Sequence, residues 1–141
     1  MTVVAPSDLS PVRALLDRVG LPSEDLGQAP VDVRTVELAG ATVGCVAVER
    51  YGAFGLLRSL AVTPEAQGRG VGRRLVEAAE RVAAERQLDA LYLLTTTASP
   101  FFEALGYTRI DRERTPEAIR QSSEFAYVCP GSAAVLAKRT G

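Results

Sequence analysis

A glycine-rich segment, Gln67-Gly68-Arg69-Gly70-Val71-Gly72-Arg73-Arg74, separates a short apolar run from a long amphipathic one and constrains the fold of this chain most. The apolar run at residues 54–62 predicts a strand, and the apolar spacing at residues 73–86 predicts a helix. A glycine-rich junction between strand and helix leaves backbone N–H groups free at the positive end of the helix dipole. Such a junction suits a phosphate or pyrophosphate, so we expect a phosphorylated cofactor here.

Spacing separates the known glycine-loop motifs. A dinucleotide fingerprint needs G-x-G-x-x-G directly after a strand, but Arg73 stands at the third glycine position and residues 63–66 intervene. The nucleoside triphosphate loop, G-x-x-x-x-G-K-[ST], does not occur in the sequence. The pattern that remains is Q-x-x-G-x-G, formed by Gln67, Gly70 and Gly72. The alternative interpretation is a tight turn whose glycines only permit positive φ.

Length and composition limit the class of protein. A chain of 141 residues with 47% hydrophobic side chains can bury one core, so we expect a single domain over residues 1–141. Sixteen basic and 17 acidic side chains leave a formal charge of -1, which argues against a nucleic-acid or anionic-membrane partner. No apolar stretch reaches the roughly 20 residues of a membrane span, and no leader pattern is seen, so a cytoplasmic location is expected.

The chemistry available to the chain is also restricted. It has no histidine, the commonest general base. Its two cysteines, Cys45 and Cys129, are too far apart in sequence for a zinc knuckle and too few for a disulfide scaffold. We therefore expect no metal site and two ordinary thiols.

Periodicity and turn residues predict the following order of elements. We expect a helix at residues 12–19, a helical turn at 22–26, antiparallel strands at 31–38, 42–49 and 54–62, a helix at 73–86, a strand at 89–95 parallel to 54–62, a helix at 101–105, a strand at 107–111, a helix at 117–121 and a strand at 133–138.

This order, with Gln67, Gly70 and Gly72 at its centre, resembles the GNAT superfamily of N-acyltransferases over residues 3–138. The resemblance implies an α/β protein whose central mixed β-sheet splays apart at a β-bulge and carries helices on both faces. In that family the pantetheine arm pairs with the exposed backbone of the bulged strand, here residues 57–62. The implied co-substrate is acetyl-CoA, and the implied activity is transfer of an acetyl group to the amine of a small molecule.

Carried over to this sequence, the resemblance implies where acetyl-CoA would bind. The backbone of the bulged strand would hold the pantetheine, the glycine loop would surround the pyrophosphate, and an N–H near Leu60 would stabilise the thioester oxygen. The implied cofactor-binding residues are Leu60, Ala61, Val62, Gln67, Gly68, Arg69, Gly70, Val71, Gly72, Arg73 and Phe102. Arg74 is a further candidate for charge-assisted bonds to phosphate.

The second family signature is the run Phe102-Glu103-Ala104-Leu105-Gly106-Tyr107, and it departs from the family pattern. Many members have Tyr where this chain has Phe102, and that hydroxyl is assigned to protonating the departing thiolate. They also tend to have Asn where this chain has Thr95. Since a phenyl ring cannot donate a proton, the acid step is unassigned, and core packing is the other interpretation of Phe102.

Five further residues are candidates for chemistry or acceptor binding. Glu49 and Glu37 lie on predicted strands and are candidate bases for the amine, although strand carboxylates usually face solvent. Arg58 precedes the cofactor segment and could hold an anionic group of the acceptor. Arg120 and Tyr127 belong to the segment before the last strand and are candidates to cover the acceptor pocket.

A narrower resemblance, to the arsenic-resistance branch of the superfamily, is carried by residues 20–26, 57–62, 91–98 and 123–133. It implies acetylation of the amine of arsenic- or phosphorus-containing glutamate analogues. The sequence is compatible with a monomer or a homodimer. Two other functions stay open. The absence of histidine and of a Tyr at Phe102 would suit a catalytically silent acetyl-CoA-binding module. Cys45 and Cys129 would suit a thiol-based arsenical-binding protein, although two distant thiols make a poor site.

Overall fold

The computed structural model describes residues 1–21, 23, 30–122, 125 and 133–141 of the chain. In chain order the elements are β1 (Thr2–Val4), α1 (Ser10–Val19), β2 (Val31–Leu38), β3 (Ala41–Tyr51), β4 (Phe54–Val62), α2 (Val71–Glu85), β5 (Ala90–Thr95), α3 (Ser99–Ala104), β6 (Thr108–Ile110), α4 (Glu117–Arg120) and β7 (Ala134–Arg139). Single 3₁₀ turns lie at Pro64–Ala66 and Arg112–Arg114.

All the strands join one mixed sheet in the order β1-β2-β3-β4-β5-β7-β6. The pairing of β4 with β5 is parallel, and the other neighbouring pairs are antiparallel. The chain passes from β4 through α2 to β5, which confirms the crossover expected from the sequence. The last strand, β7, inserts between β5 and β6.

Helices cover both faces of the sheet and bury its apolar side chains. On one face α2 contributes Leu75, which packs in one buried cluster with Val48 of β3. On the other face α1 contributes Leu16, packed with Ala47, and α4 contributes Ile119. Burial of each leucine or isoleucine stabilises the fold by roughly 1.5–3 kcal/mol. The sheet is therefore held between two apolar layers, as the α/β interpretation predicts.

Local signals explain the element ends. Helix α1 carries a proline in its first turn and ends at Gly20, whose φ is 79°. The hairpin between β2 and β3 turns at Ala39 and Gly40, both with positive φ, which matches the twist of a two-residue hairpin. Strand β1 was not predicted, and the helical turn expected at residues 22–26 lies almost wholly outside the described residues.

No helix in the described ranges is long and apolar enough to cross a bilayer.

Candidate active site

Strands β4 and β5 are paired over only part of their length. The parallel ladder joins Phe54, Gly55 and Leu56 to the first three residues of β5. Beyond Leu56, β4 continues to Val62 and β5 continues to Thr95 with no further pairing between them. The two strands therefore splay apart in the middle of the sheet and leave part of the β4 backbone available to another extended chain.

A bulge in β4 accompanies the separation. Cys45 of β3 lies opposite Ala61, whereas Ala47 lies opposite Arg58. One residue of β3 thus faces two residues of β4, Ser59 and Leu60, which is the definition of a β-bulge. Ser59 has a φ of 57°, a left-handed conformation that costs a non-glycine residue roughly 1–2 kcal/mol. The expected bulge within residues 57–62 is confirmed.

Two side chains hold the bulged residue in place. The Cys45 thiol donates a hydrogen bond to the carbonyl oxygen of Ser59, with Sγ and O 3.3 Å apart. The Arg58 guanidinium donates from Nε to the Ser59 hydroxyl oxygen at 3.2 Å. Burial raises the pKa of Cys45 to about 12, so its sulfur keeps the proton that it donates.

The gap between the strands forms a cleft of about 330 Å³. Its described lining comprises Leu21, Leu57, Arg58, Ser59, Leu60, Leu93, Leu94, Thr95, Thr96, Thr97, Ala98 and Phe102. The apolar walls suit a pantetheine arm, while Arg58 brings a guanidinium group to the cleft.

The glycine loop lies at the N-terminus of α2. Gly68 and Gly70 have φ of 81° and 79°, and Gly70 caps the helix without a side-chain hydrogen bond. The first N–H groups of α2 have no intrahelical acceptor, so they are available to an anion. The nearby Arg69, Arg73 and Arg74 are exposed. The loop therefore has the backbone and the charge that a pyrophosphate requires.

Arg58 belongs to a buried polar cluster with two residues of β3. Its Nη1 lies 3.4 Å from Oε2 of Glu49, and the two residues are 3% and 4% exposed. The hydroxyl of Tyr51 donates to the other carboxylate oxygen of Glu49 at 3.2 Å. Burial first, and the Glu49 charge second, raise the pKa of Tyr51 to about 12. Both oxygens of Glu49 are thus engaged, so the carboxylate is a fixed partner of Arg58.

Phe102 lies both in the core and at the wall of the cleft. It is 5% exposed and packs edge-on against Phe101 and Tyr107, with ring centroids 5.1 and 5.6 Å away. The Tyr107 hydroxyl donates a hydrogen bond to Glu80 at 3.0 Å. Burial raises the pKa of Tyr107 well above its usual value. Tyr107 therefore does not supply the hydroxyl that Phe102 lacks.

The structure does not bring every predicted residue to the cleft. Glu37 lies on β2 in a separate depression beside the start of α1. Arg120 is exposed at the end of α4 and is absent from the described lining of the cleft. Tyr127 and Cys129 fall outside the described residues. Tyr51 was missed by sequence reasoning, because its proximity to Arg58 arises only from the pairing of β3 with β4.

Sequence comparisons identify the family. The family model described as an acetyltransferase (GNAT) domain matches residues 32–109. An uncharacterised N-acetyltransferase of Chlorobaculum tepidum is 37% identical over 89 residues, which cover 62% of this chain and 57% of that protein. An amino-acid acetyltransferase of Mycobacterium tuberculosis is 34% identical over 76 residues, 53% of this chain and 43% of that protein. The matched segments span about half the length of these curated relatives.

Solved structures share the whole fold. The N-acetylglutamate synthase of Neisseria gonorrhoeae, solved with coenzyme A and N-acetyl-glutamate, has a TM-score of 0.79 and 23% identity; the match covers 100% of this chain and 36% of that one. A Mycobacterium tuberculosis protein solved with CoA and NLQ has a TM-score of 0.80 and 24% identity, and the match covers 99% of each chain. At these identities the likeness shows the fold.

Fold, splayed strands and glycine loop together define an acyl-CoA N-acyltransferase architecture. With the family model covering more than half of its length, this chain belongs to the GNAT acetyltransferase family. The narrower resemblance to the arsenic-resistance branch stays a prediction.

Proposed function

We propose that this protein transfers the acetyl group of acetyl-CoA to the amine of a small acidic amino acid, including arsenic- or phosphorus-containing analogues of glutamate. The observation that carries the proposal is the position of Arg58. Its buried guanidinium lines the cleft directly before the bulge, where the acetyl group and the acceptor would meet. Glu49 balances the charge of Arg58, and an anionic group of the acceptor would be a charge-assisted partner for a guanidinium N–H that faces the cleft.

At the cofactor end, the described residues fit acetyl-CoA. The edge of β4 that faces β5 has no ladder partner within the described sheet at Leu60, Ala61 and Val62 and would take the pantetheine as an added strand. The loop from Gln67 to Arg73 would hold the pyrophosphate through N–H groups and arginine side chains. Bound in this way, acetyl-CoA supplies a thioester, whose carbonyl carbon is the electrophile.

At the reacting end, the neutral amine attacks that carbonyl, the C–N bond forms as the C–S bond breaks, and coenzyme A leaves as a thiolate. The backbone N–H of Leu60 would stabilise the charge that develops on the thioester oxygen. Because Glu49 is engaged by Arg58 and Tyr51, we assign it to holding Arg58, and the amine would lose its proton to water in the cleft. Glu37 has no part in this scheme, since it does not line the cleft.

The acceptor proposal draws support from the relatives. One is named an amino-acid acetyltransferase, and one structural neighbour was solved with N-acetyl-glutamate. The test is release of coenzyme A from acetyl-CoA with glutamate, its phosphinate and arsinate analogues, leucine and spermidine as acceptors. Faster release with acidic acceptors is expected. Equal or faster release with leucine or spermidine would reject an acidic acceptor.

A further inference from the structure

A second cavity, of about 350 Å³, adjoins the cleft between β4 and β5. Thr95 and Thr96, at the end of β5, line both cavities, so the two cavities are neighbours at this point. Six polar residues line the second cavity: Thr95, Thr96, Ser99, Arg109, Asp111 and Arg112. We call this cavity the arginine pocket.

The charge in the arginine pocket is only partly balanced. Arg109 contacts the Ser99 hydroxyl oxygen through Nη2 at 3.4 Å, and Arg112 stacks on Phe125 with Cζ 5.3 Å from the ring centroid. Within the described residues, neither arginine forms an ion pair with a carboxylate, although Asp111 lines the same pocket. Two guanidinium groups against one carboxylate leave an excess positive charge.

Within the part of the chain that the structure describes, the Arg112 guanidinium also has an unsatisfied hydrogen-bond donor. Its Nη2 is shielded from solvent and has no hydrogen-bond acceptor among the described residues. A buried guanidinium nitrogen without a partner costs free energy, because it has lost water and gained nothing. Because Arg112 lines the pocket, an anion bound there would supply this acceptor if the side chain turned Nη2 toward it.

We propose that the arginine pocket binds the second anionic group of the acceptor, at the end of the molecule away from the reacting amine. This inference rests on the proposed function. The nearer anion contacts Arg58, and the distal carboxylate, phosphinate or arsinate contacts Arg109 and Arg112. The preferred acceptor is thus an amino acid with two anionic groups, which separates it from neutral or singly charged amines.

The test is equilibrium binding of glutarate and of its half-amide glutaramate to the full chain by calorimetry, in the presence of coenzyme A. Glutarate lacks an amine, so its binding does not depend on catalysis. Wild type is expected to prefer glutarate by on the order of 10- to 100-fold, since a charge-assisted pair replaces a neutral contact. Arg112→Gln and Arg109→Gln should each reduce that preference, and Asp111→Asn should increase affinity for glutarate.

Arg114→Gln is the matched control, because Arg114 lies in the same 3₁₀ turn but is exposed and does not line the pocket. If Arg112→Gln unfolds the chain through loss of its contact with Phe125, the exposed Arg109 carries the test alone. Equal affinity for glutarate and glutaramate would overturn the proposed anion site. A preference for glutarate that persists in both arginine variants would also overturn it. Retained preference for glutarate in a protein that acetylates no amine would overturn the proposed function and leave the pocket standing.

Discussion

The Cys45 thiol donates its proton to the carbonyl oxygen of Ser59 across 3.3 Å, and Ser59 is the residue that takes positive φ at the bulge. A bulge disrupts the backbone ladder around it, so a nearby carbonyl needs a hydrogen-bond donor other than a backbone N–H of the facing strand. The donor here is a side chain of β3, the strand that pairs with the edge of β4 opposite the gap where pantetheine would lie. The sequence predicts only an ordinary thiol at Cys45, whereas in the structure this thiol stabilises the bulge of β4.

Cys45→Ala should weaken coenzyme A binding by about 3- to 10-fold. The substitution removes one hydrogen bond that keeps the bulge in the conformation needed for binding, and such a bond has a modest energy. The free energy of unfolding of the variant should also fall by roughly 1–3 kcal/mol, because a buried carbonyl loses its donor. Cys45→Ser keeps a donor and is the control. Calorimetric titration with coenzyme A checks the prediction, and an unchanged dissociation constant for Cys45→Ala would remove this role.

Glu49→Gln should raise the KM for the acceptor by on the order of 10-fold and leave the KM for acetyl-CoA near its wild-type value. The amide keeps a hydrogen-bond acceptor but removes the charge that fixes Arg58, so the cost falls on acceptor binding. Steady-state kinetics against both substrates separate the effects. Glu65→Gln, which breaks the exposed pair with Arg18, is the control and should change neither constant.

A different result for Glu49→Gln would restore the role of general base. If kcat fell by a factor of 100 or more while both KM values stayed constant, the carboxylate would act in proton transfer rather than in positioning.

Gly70 and Gly72 should respond differently to substitution by alanine. At Gly70, alanine must adopt φ of 79°, so Gly70→Ala should cost roughly 1–2 kcal/mol of stability. Gly72 has no positive φ, and a Cβ there would meet Phe101 Cζ at 3.4 Å, an ordinary contact. Gly72→Ala should therefore keep or raise the melting temperature, since alanine favours a helix by about 1 kcal/mol.

Coenzyme A binding then tests why glycine occupies position 72. We expect Gly72→Ala to weaken coenzyme A binding at least 5-fold despite its stability, because close approach of the pyrophosphate to the first turn favours a residue without Cβ. Calorimetry and thermal melting of the same preparation provide both numbers. Full affinity in a stable Gly72→Ala protein would argue against a phosphate at this turn.

Tyr51 should make stability fall at alkaline pH. Its pKa is about 12 in the fold against about 10 when unfolded, so its contribution is complete below pH 10 and is lost as pH rises from 10 to 12. Allowing for partial exposure of the ring, the loss should reach about 1–2 kcal/mol.

Urea unfolding of wild type and Tyr51→Phe at pH 9, 10 and 11 measures this loss. The variant should be less stable than wild type at pH 9, because Glu49 loses a donor, and the difference should shrink as pH rises. Tyr107 stays in both proteins and contributes equally to the remaining decline. If the free energies of unfolding of the two proteins fell in parallel with rising pH, this would contradict the raised pKa of Tyr51.

Local sequence signals predicted most of the elements and the position of the glycine loop at the start of α2, since Gly20, Gly40 and Gly70 all mark observed ends or turns. The parallel pairing of β4 with β5 followed from the intervening helix. Strand β1 was missed because three residues are too few to show a periodic pattern. These residues form a strand because they pair with β2.

The acceptor side of the site was less predictable. Arg58 could be named from its place before the bulged strand, but its buried contact with Glu49 depends on the register of β3 and β4. Arg112 had no motif, and only the arrangement of β5, β6 and β7 brings it beside Thr95. Interactions between distant residues of this kind follow from tertiary packing, which a single sequence does not encode in any local pattern.

Acetyl transfer is tested most directly by incubating the protein with acetyl-CoA and glutamate, and measuring coenzyme A release together with the mass of the amino-acid product. Wild type is expected to release coenzyme A in step with N-acetylated product, and Arg58→Lys should lower kcat/KM for glutamate at least 10-fold, because an ammonium cannot replace the guanidinium fork. Tight binding of coenzyme A with no acetylated product from glutamate or its phosphinate and arsinate analogues would contradict the proposed transfer and favour a binding module.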